Sequence, residues 1–278
     1  MSPACLITSC RDKDNDTGEI QDISVKVDSC IFSLRLDIKS EMSDSPPQVK
    51  SLDLLVYDEG SLGTLESWTR FESLPDSVFI KGARRSKTVV AIANSPRSFS
   101  RRAIDRYDSI ELLSYEFDED SPETPIMSGV CGLSPDRAGR VTLVPLMSRV
   151  RLGEISNTMK AYVRLEDPRV YLENMNACAE IIRSSGFRPS DFMDAYQKQA
   201  LPYDIGIFAQ RPGTELFCYP NETPEGTVGA LQTIFVLECE ISGNTCRFPV
   251  TLNSLGRNKT LTVDISVAGP EQYDYKVY

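Results

Sequence analysis

The chain has 278 residues, 41% hydrophobic and 25% charged, within the globular range and long enough for two domains of about 130 residues. Its 30 Lys and Arg against 40 Asp and Glu leave a net charge of −10, which repels a phosphate backbone and argues against nucleic acid as a partner. There is no histidine, which removes the commonest general base and zinc ligand and excludes a Ser-His-Asp triad. No apolar run approaches the roughly 18 residues a membrane-spanning helix needs.

In chain order, Leu6-Ile7-Thr8-Ser9-Cys10 resembles a bacterial lipobox, whose Cys becomes acylated, and the charged run Arg11-Asp12-Lys13-Asp14-Asn15-Asp16 follows. Residues 1–22 are expected to be a lipoprotein signal remnant and flexible tether, with Cys10 the lipidation site. The basic segment and longer apolar run of a full signal peptide do not precede Cys10, and an ordinary thiol in a frayed terminus is the alternative.

Strand patterns come next. Phe32, Leu34, Leu36 and Ile38 alternate with polar residues, a turn-rich segment follows, and residues 52–57 form a second strand, expected to open the first sheet beside it. Further strands are expected at 79–80 and 88–93, on either side of Gly82-Ala83-Arg84-Arg85. Trp68 and Phe71 read either as a core cap at helical spacing or as an exposed sugar-stacking surface. Residues 100–113 suggest a short surface helix, and the acidic run over 118–123 a solvated loop without calcium-binding spacing. A boundary near Pro145 separates an N-terminal β-sandwich over 23–145 from a C-terminal one over 146–278. The second carries strands near 170–172, 205–207, 216–219, 234–241, 245–252 and 261–267, with a helix-like insertion over 177–195.

The hairpin about Ser242-Gly243 is the best-determined local structure. A two-residue primed turn sets Cys239 opposite Cys246, Glu238 opposite Arg247 as an ion pair, and Leu237 opposite Phe248. Cys239 and Cys246 then read either as a disulfide in unfavourable torsions or as two buried thiols. Eight cysteines at positions 5, 10, 30, 131, 178, 218, 239 and 246 form no CxxC pair and no cluster, so no metal and no cofactor is expected.

Several segments together resemble the fimbrillin superfamily of Bacteroidales-type fimbrial subunits and anchor lipoproteins. They are Cys10 with its acidic tether, the strand over 49–57, Val89-Val90-Ala91-Ile92-Ala93-Asn94, Pro125-Ile126-Met127-Ser128-Gly129, residues 146–152, Cys218-Tyr219-Pro220-Asn221-Glu222 and Leu255-Gly256-Arg257-Asn258-Lys259. The resemblance implies a mainly β fold of two tandem transthyretin-like β-sandwiches with short helical insertions. It also implies a non-enzymatic protein lipid-anchored at Cys10 in the outer membrane, surface-exposed, with other fimbrial subunits as partners. Stalk members polymerise by donor-strand exchange after a protease cuts behind an Arg in the loop following the first strand. Here residues 40–49 contain no Arg, Arg35 lies inside the strand, Lys39 and Lys50 flank the loop, and about ten residues follow Val267. The first strand, Phe32 to Ile38, is therefore expected to be retained, as suits a membrane-proximal anchor or accessory subunit assembling by β-strand addition. The alternative is a surface adhesin or glycan-binding module that captures a host or bacterial surface ligand.

Overall fold

The computed structural model describes residues 28–43, 45–59, 63–160, 162–194 and 198–278. Cys10 and the expected tether over residues 1–22 lie outside the described residues. The ten-residue strand β1 (Ser29–Ile38) buries Phe32, Leu34 and Leu36 and turns Ile31 outward. After it come β2 (Leu52–Tyr57), β3 (Leu65–Phe71), β4 (Ser77–Ala83), β5 (Lys87–Ala93), helix α1 (Tyr107–Glu111), β6 (Ser114–Glu116), β7 (Met127–Leu133) and β8 (Gly139–Pro145).

Seven of these strands form a sheet in the order β3-β2-β5-β7-β8-β1-β4. It folds over at β7 and β8, which share only the pairs Met127–Pro145 and Ser128–Val144. Leu52, Leu54, Val89 and Ala91 on one side then pack against Leu34, Leu36 and Val141 on the other. The expected β1–β2 pairing does not form. β1 pairs antiparallel with β4 and parallel with β8, whereas β2 lies across the core between β3 and β5. All six residues of β2 are buried, which requires cover on both faces: Leu52, Leu54 and Val56 meet the core of the first half, and Leu55 and Tyr57 a second apolar cluster on the other side.

The second half supplies β9 (Ser148–Asn157), β10 (Glu166–Glu173), β11 (Met175–Asn176), β12 (Cys178–Glu180), β13 (Phe192–Met193), β14 (Gln199–Ala200), β15 (Glu215–Cys218), β16 (Ile234–Ile241), β17 (Asn244–Thr251), β18 (Thr260–Gly269) and β19 (Gln272–Val277). Two four-stranded sheets, β14-β10-β16-β17 and β15-β9-β18-β19, enclose a core that includes Leu152, Leu172, Phe235, Phe248 and Val263. β9 runs parallel to β18, as β1 does to β8. Residues 205–207 form no strand; Ile205 makes a single bridge with Leu165.

The hairpin has the expected register, with Ser242 at φ 52° and Gly243 at φ 78°, the positive pair that a type I′ turn requires. The ion pair expected between Glu238 and Arg247 is relayed instead. Tyr171 of β10 shares their face of the sheet, and its hydroxyl donates to Glu238 Oε2 at 3.1 Å and accepts from Arg247 Nε at 3.1 Å. Lys198 then satisfies Glu238, and Arg247 turns to Glu173.

Of the expected insertion over 177–195, the described residues 177–194 are not helical. Gly186 sits at φ 73°, Pro189 follows, and Cys178–Glu180 are recruited into pairing with β6. This places Ala179, Ile181 and Phe187 over the outer face of β2 and β5, where they join Leu55, Tyr57, Val90 and Ile92. The expected surface helix is α1, preceded by a 3-10 turn at Arg101–Ala103; Ile110 of the helix and Ile104, just after the turn, are buried in that same cluster.

Arg257 lies where the two halves meet, half-buried, with its guanidinium enclosed by oxygens of both. Its Nε donates to Pro145 O at 2.9 Å, Nη1 to Ile181 O at 3.2 Å and Arg183 O at 2.8 Å, and Nη2 to Ser128 Oγ at 3.0 Å and to Val144 O. The acidic loop beside it is not wholly solvated. Asp120 Oδ1 accepts from the backbone N–H of Ser121 at 2.8 Å and of Ile126 at 2.7 Å, while Oδ2 is buried without a hydrogen bond among the described residues. Burial pushes the Asp120 carboxyl up to about 6 and the Arg257 guanidinium down to about 10.

Arg257→Lys, with three donors in place of five, leaves buried carbonyls unpaired and is expected to cost about 3 kcal/mol or more in urea unfolding at neutral pH. Because the folded-state pKa of Asp120 is raised, its favourable contribution is complete below about 4 and is lost as pH climbs through about 6. Asp120→Asn keeps the acceptor for both N–H groups without the buried charge. The variant should match the parent near pH 4 and exceed it by about 1–2 kcal/mol at pH 7 in parallel melts.

Candidate functional site

Strand β1 fills a trough between β8 and β4. Residues 29–35 pair with β4 and residues 34–38 with β8, so only Leu34 and Arg35 are bonded on both edges. Phe32, Leu34 and Leu36 point into the core and Ile38 packs at its margin. Burial of three such side chains contributes on the order of 5–8 kcal/mol. That is comparable to the roughly 5–15 kcal/mol that holds a whole domain folded. A trough emptied of β1 would therefore require another strand with the same alternation.

Beneath β1 lies a charge that the sequence pattern did not reveal. The Lys87 side chain has no exposure, its Nζ is 2.7 Å from Glu66 Oε1, and it stands 5.8 Å from the centre of the Phe32 ring. Gly82, paired with Cys30, makes the passage possible, because a Cβ there would meet Lys87 Cε at 2.9 Å. On the outer face, Asp37 pairs with Arg140, which holds the Asp37 carboxyl below its ordinary value, and Ile31 and Phe79 are exposed.

The loop leaving β1 is clasped by residues 258–260, which lead into β18. Asn258 Oδ1 accepts from Glu41 N at 2.9 Å, and Asn258 Nδ2 donates to Lys39 O at 3.3 Å. Thr260 Oγ1 donates to Glu41 O at 2.6 Å, and Lys259 Nζ lies 2.9 Å from the Glu41 carboxylate, whose pKa it lowers. Lys39 N donates to Leu143 O at 2.9 Å, so both backbone polar groups of Lys39 are engaged. Met42 is buried against the cluster between the halves.

The other sequence-derived positions stand apart from this site. Cys239 and Cys246 face each other across β16 and β17 as free thiols on the core side, and burial pushes the Cys239 thiol up to about 12. Trp68 lies on edge strand β3, where the extended backbone sends Trp68 and Phe71 to opposite faces; the helical spacing does not hold. Its Nε1–H donates to Asp53 Oδ1 at 2.9 Å and its ring meets Phe99 edge-on at 6.4 Å. Asp53 is fully buried in β2, also pairs with Arg70 at 3.1 Å, and has its carboxyl pKa raised by burial.

No protein-family model matches the chain, and no curated protein matches it. Its fold does match solved structures. A fimbrilin from Porphyromonas gingivalis superposes with a TM-score of 0.64 at 12% identity over 88% of this chain and 95% of that one. The tip fimbrial protein Mfa3 from the same organism, with C-terminal truncation, gives 0.59 at 12% identity over 90% and 98%. A fimbrial assembly protein from Parabacteroides distasonis gives 0.54 at 11% identity over 90% and 96%. The chain thus has the mainly β, fimbrillin-type fold, and at these identities the likeness extends to the fold alone.

The trough predicts a contrast between the two faces of β1. Leu34→Ala should cost about 2–5 kcal/mol in chemical unfolding. Asp37→Ala, which breaks an exposed pair, should leave the unfolding midpoint nearly unchanged in the same measurement.

Proposed function

We propose that this chain is a cell-surface fimbrial subunit, non-enzymatic, that serves as a membrane-proximal anchor or accessory piece and joins its neighbours by β-strand addition. The single observation that carries this is the clasp behind β1. Lys39 and Glu41 are fastened to residues 258–260, and the strand they follow is bonded to both β4 and β8. A protease acting at Lys39 would need that clasp opened first, which favours retention of β1 over its release. Lys50 is similarly engaged, its N–H donating to Asn94 Oδ1 at 2.8 Å. The fold shared with fimbrial proteins supports the fimbrial role, and the other subunits of such an assembly are the partners.

Two sandwiches over residues 23–145 and 146–278 fit this role. One apolar core draws only on residues up to Leu143 and another, in its buried part, only on residues from Val150 onward. The lipobox resemblance at Cys10 supplies the anchor, two or more acyl chains being what firm attachment to the outer membrane requires.

Cell fractionation combined with intact-mass measurement of the membrane-derived protein tests both parts. The expected result is an acylated chain beginning at Cys10, released to the soluble fraction by Cys10→Ala. Unchanged membrane retention in Cys10→Ala overturns the lipid anchor, and a mature start after Lys39 or Lys50 overturns the retained strand.

A further inference from the structure

Below the clasp, two arginines of β9 share one acceptor. Arg149 Nη1 donates to Glu215 Oε1 at 2.9 Å, and Arg151 Nη2 lies 3.1 Å from that same oxygen. The cluster carries two positive charges against one negative in a chain of net charge −10. Arg149 is 8% exposed, its Nε is held by Thr260 Oγ1 at 3.1 Å, and its Nη2 makes no hydrogen bond among the described residues. Both arginines and Glu215 line a cavity of about 390 Å³, which Ser40, Ser43 and Ser45 and the apolar Pro47, Pro125 and Phe217 also line.

Each feature selects a part of a ligand. A guanidinium pair with unused donors matches a carboxylate, which a planar fork binds through two parallel hydrogen bonds. Serine hydroxyls both donate and accept, as ring hydroxyls require, and flat apolar surfaces suit the C–H face of a sugar ring. The volume is within the range of small-molecule sites. We propose that this cavity binds a carboxylated six-membered sugar of the uronic acid type, its carboxylate on Arg149 and Arg151 and its ring between the serines and Phe217. A neutral sugar leaves the arginine donors unmatched and is rejected. The site operates whether or not the chain enters a fimbria, so its test is independent of assembly and anchoring.

Glucuronate is titrated into the purified chain by calorimetry, with glucose, acetate and inorganic phosphate in parallel. Glucuronate should bind, and each of the other three should bind at least about tenfold more weakly. Arg151→Ala, a half-exposed side chain with one ion pair, should weaken glucuronate at least about tenfold with an unchanged melting temperature. Glu215→Gln removes the competing carboxylate and should strengthen glucuronate several-fold, an effect that a purely structural Glu215 does not produce. Absence of glucuronate binding overturns the proposal, as does equal binding of acetate or phosphate, which would mark a bare anion hole. Unchanged affinity in Arg151→Ala or weaker affinity in Glu215→Gln overturns it equally.

Discussion

The guanidinium of Arg257 is the constraint on which the joined structure depends. A buried cation is costly unless its donors are met, and here all five N–H groups reach oxygens of β7, β8 and the segment after β12. The carbonyl cage substitutes for water, and even with its pKa lowered to about 10 the group stays charged at neutral pH. The Ser128 hydroxyl, which accepts from Arg257, itself donates to Ile181 O, so the strand at the fold of the first sheet and the insertion from the second half are locked through one side chain. The same short segment then continues through Asn258, whose N–H donates to Met147 O at 3.0 Å, to the clasp on Lys39 and Glu41. Four consecutive residues thus fix both the docking of the halves and the exit of β1.

Local structure was the legible part of this fold. The hairpin about Ser242-Gly243 could be read to the residue, because a two-residue turn with positive φ at both positions dictates register by itself. Alternation likewise located β1, β5, β16 and β18, where one face or both meet the core. Partner choice was not legible. β1 lies beside β8, more than a hundred residues away, and a parallel neighbour needs a crossover that nothing in the alternation announces. The insertion misled for a related reason: its apolar residues look helical until Cys178–Glu180 are taken up by β6, a contact between halves that overrides local preference.

Buried charge was the second illegible element. Lys87, Asp53 and Arg257 stand among apolar residues or in a loop, and charged side chains default to the surface unless a partner is known. Those partners come from other strands: Glu66 for Lys87, Trp68 and Arg70 for Asp53, backbone carbonyls for Arg257. The Glu238–Arg247 pair repeats the lesson on the outer face, where Tyr171 of the neighbouring strand intervenes. Two-strand reasoning predicts which residues are opposite; a third strand decides whether they touch. The Arg149–Arg151 pair has the same character, since only the return of β15 brings Glu215 to it and leaves the charge unbalanced.

The two halves share a topological rule, that the first strand of each lies parallel to a late one, β1 with β8 and β9 with β18. The rule gives β1 and β9 equivalent places, yet their freedom differs. β9 follows β8 through Leu146 and Met147, both buried, and its first residue is pinned by Ser148 Oγ donating to Gly256 O at 2.6 Å. It cannot leave without dismantling the junction. β1 has one paired edge over most of its length, and its inner side chains carry most of what holds it. The first strand of the first half is therefore the more easily released of the two, and the clasp on residues 39–41 adds to what holds it. Fastening that loop to residues 258–260 gives β1 a second lock where most of the strand is bonded on a single edge.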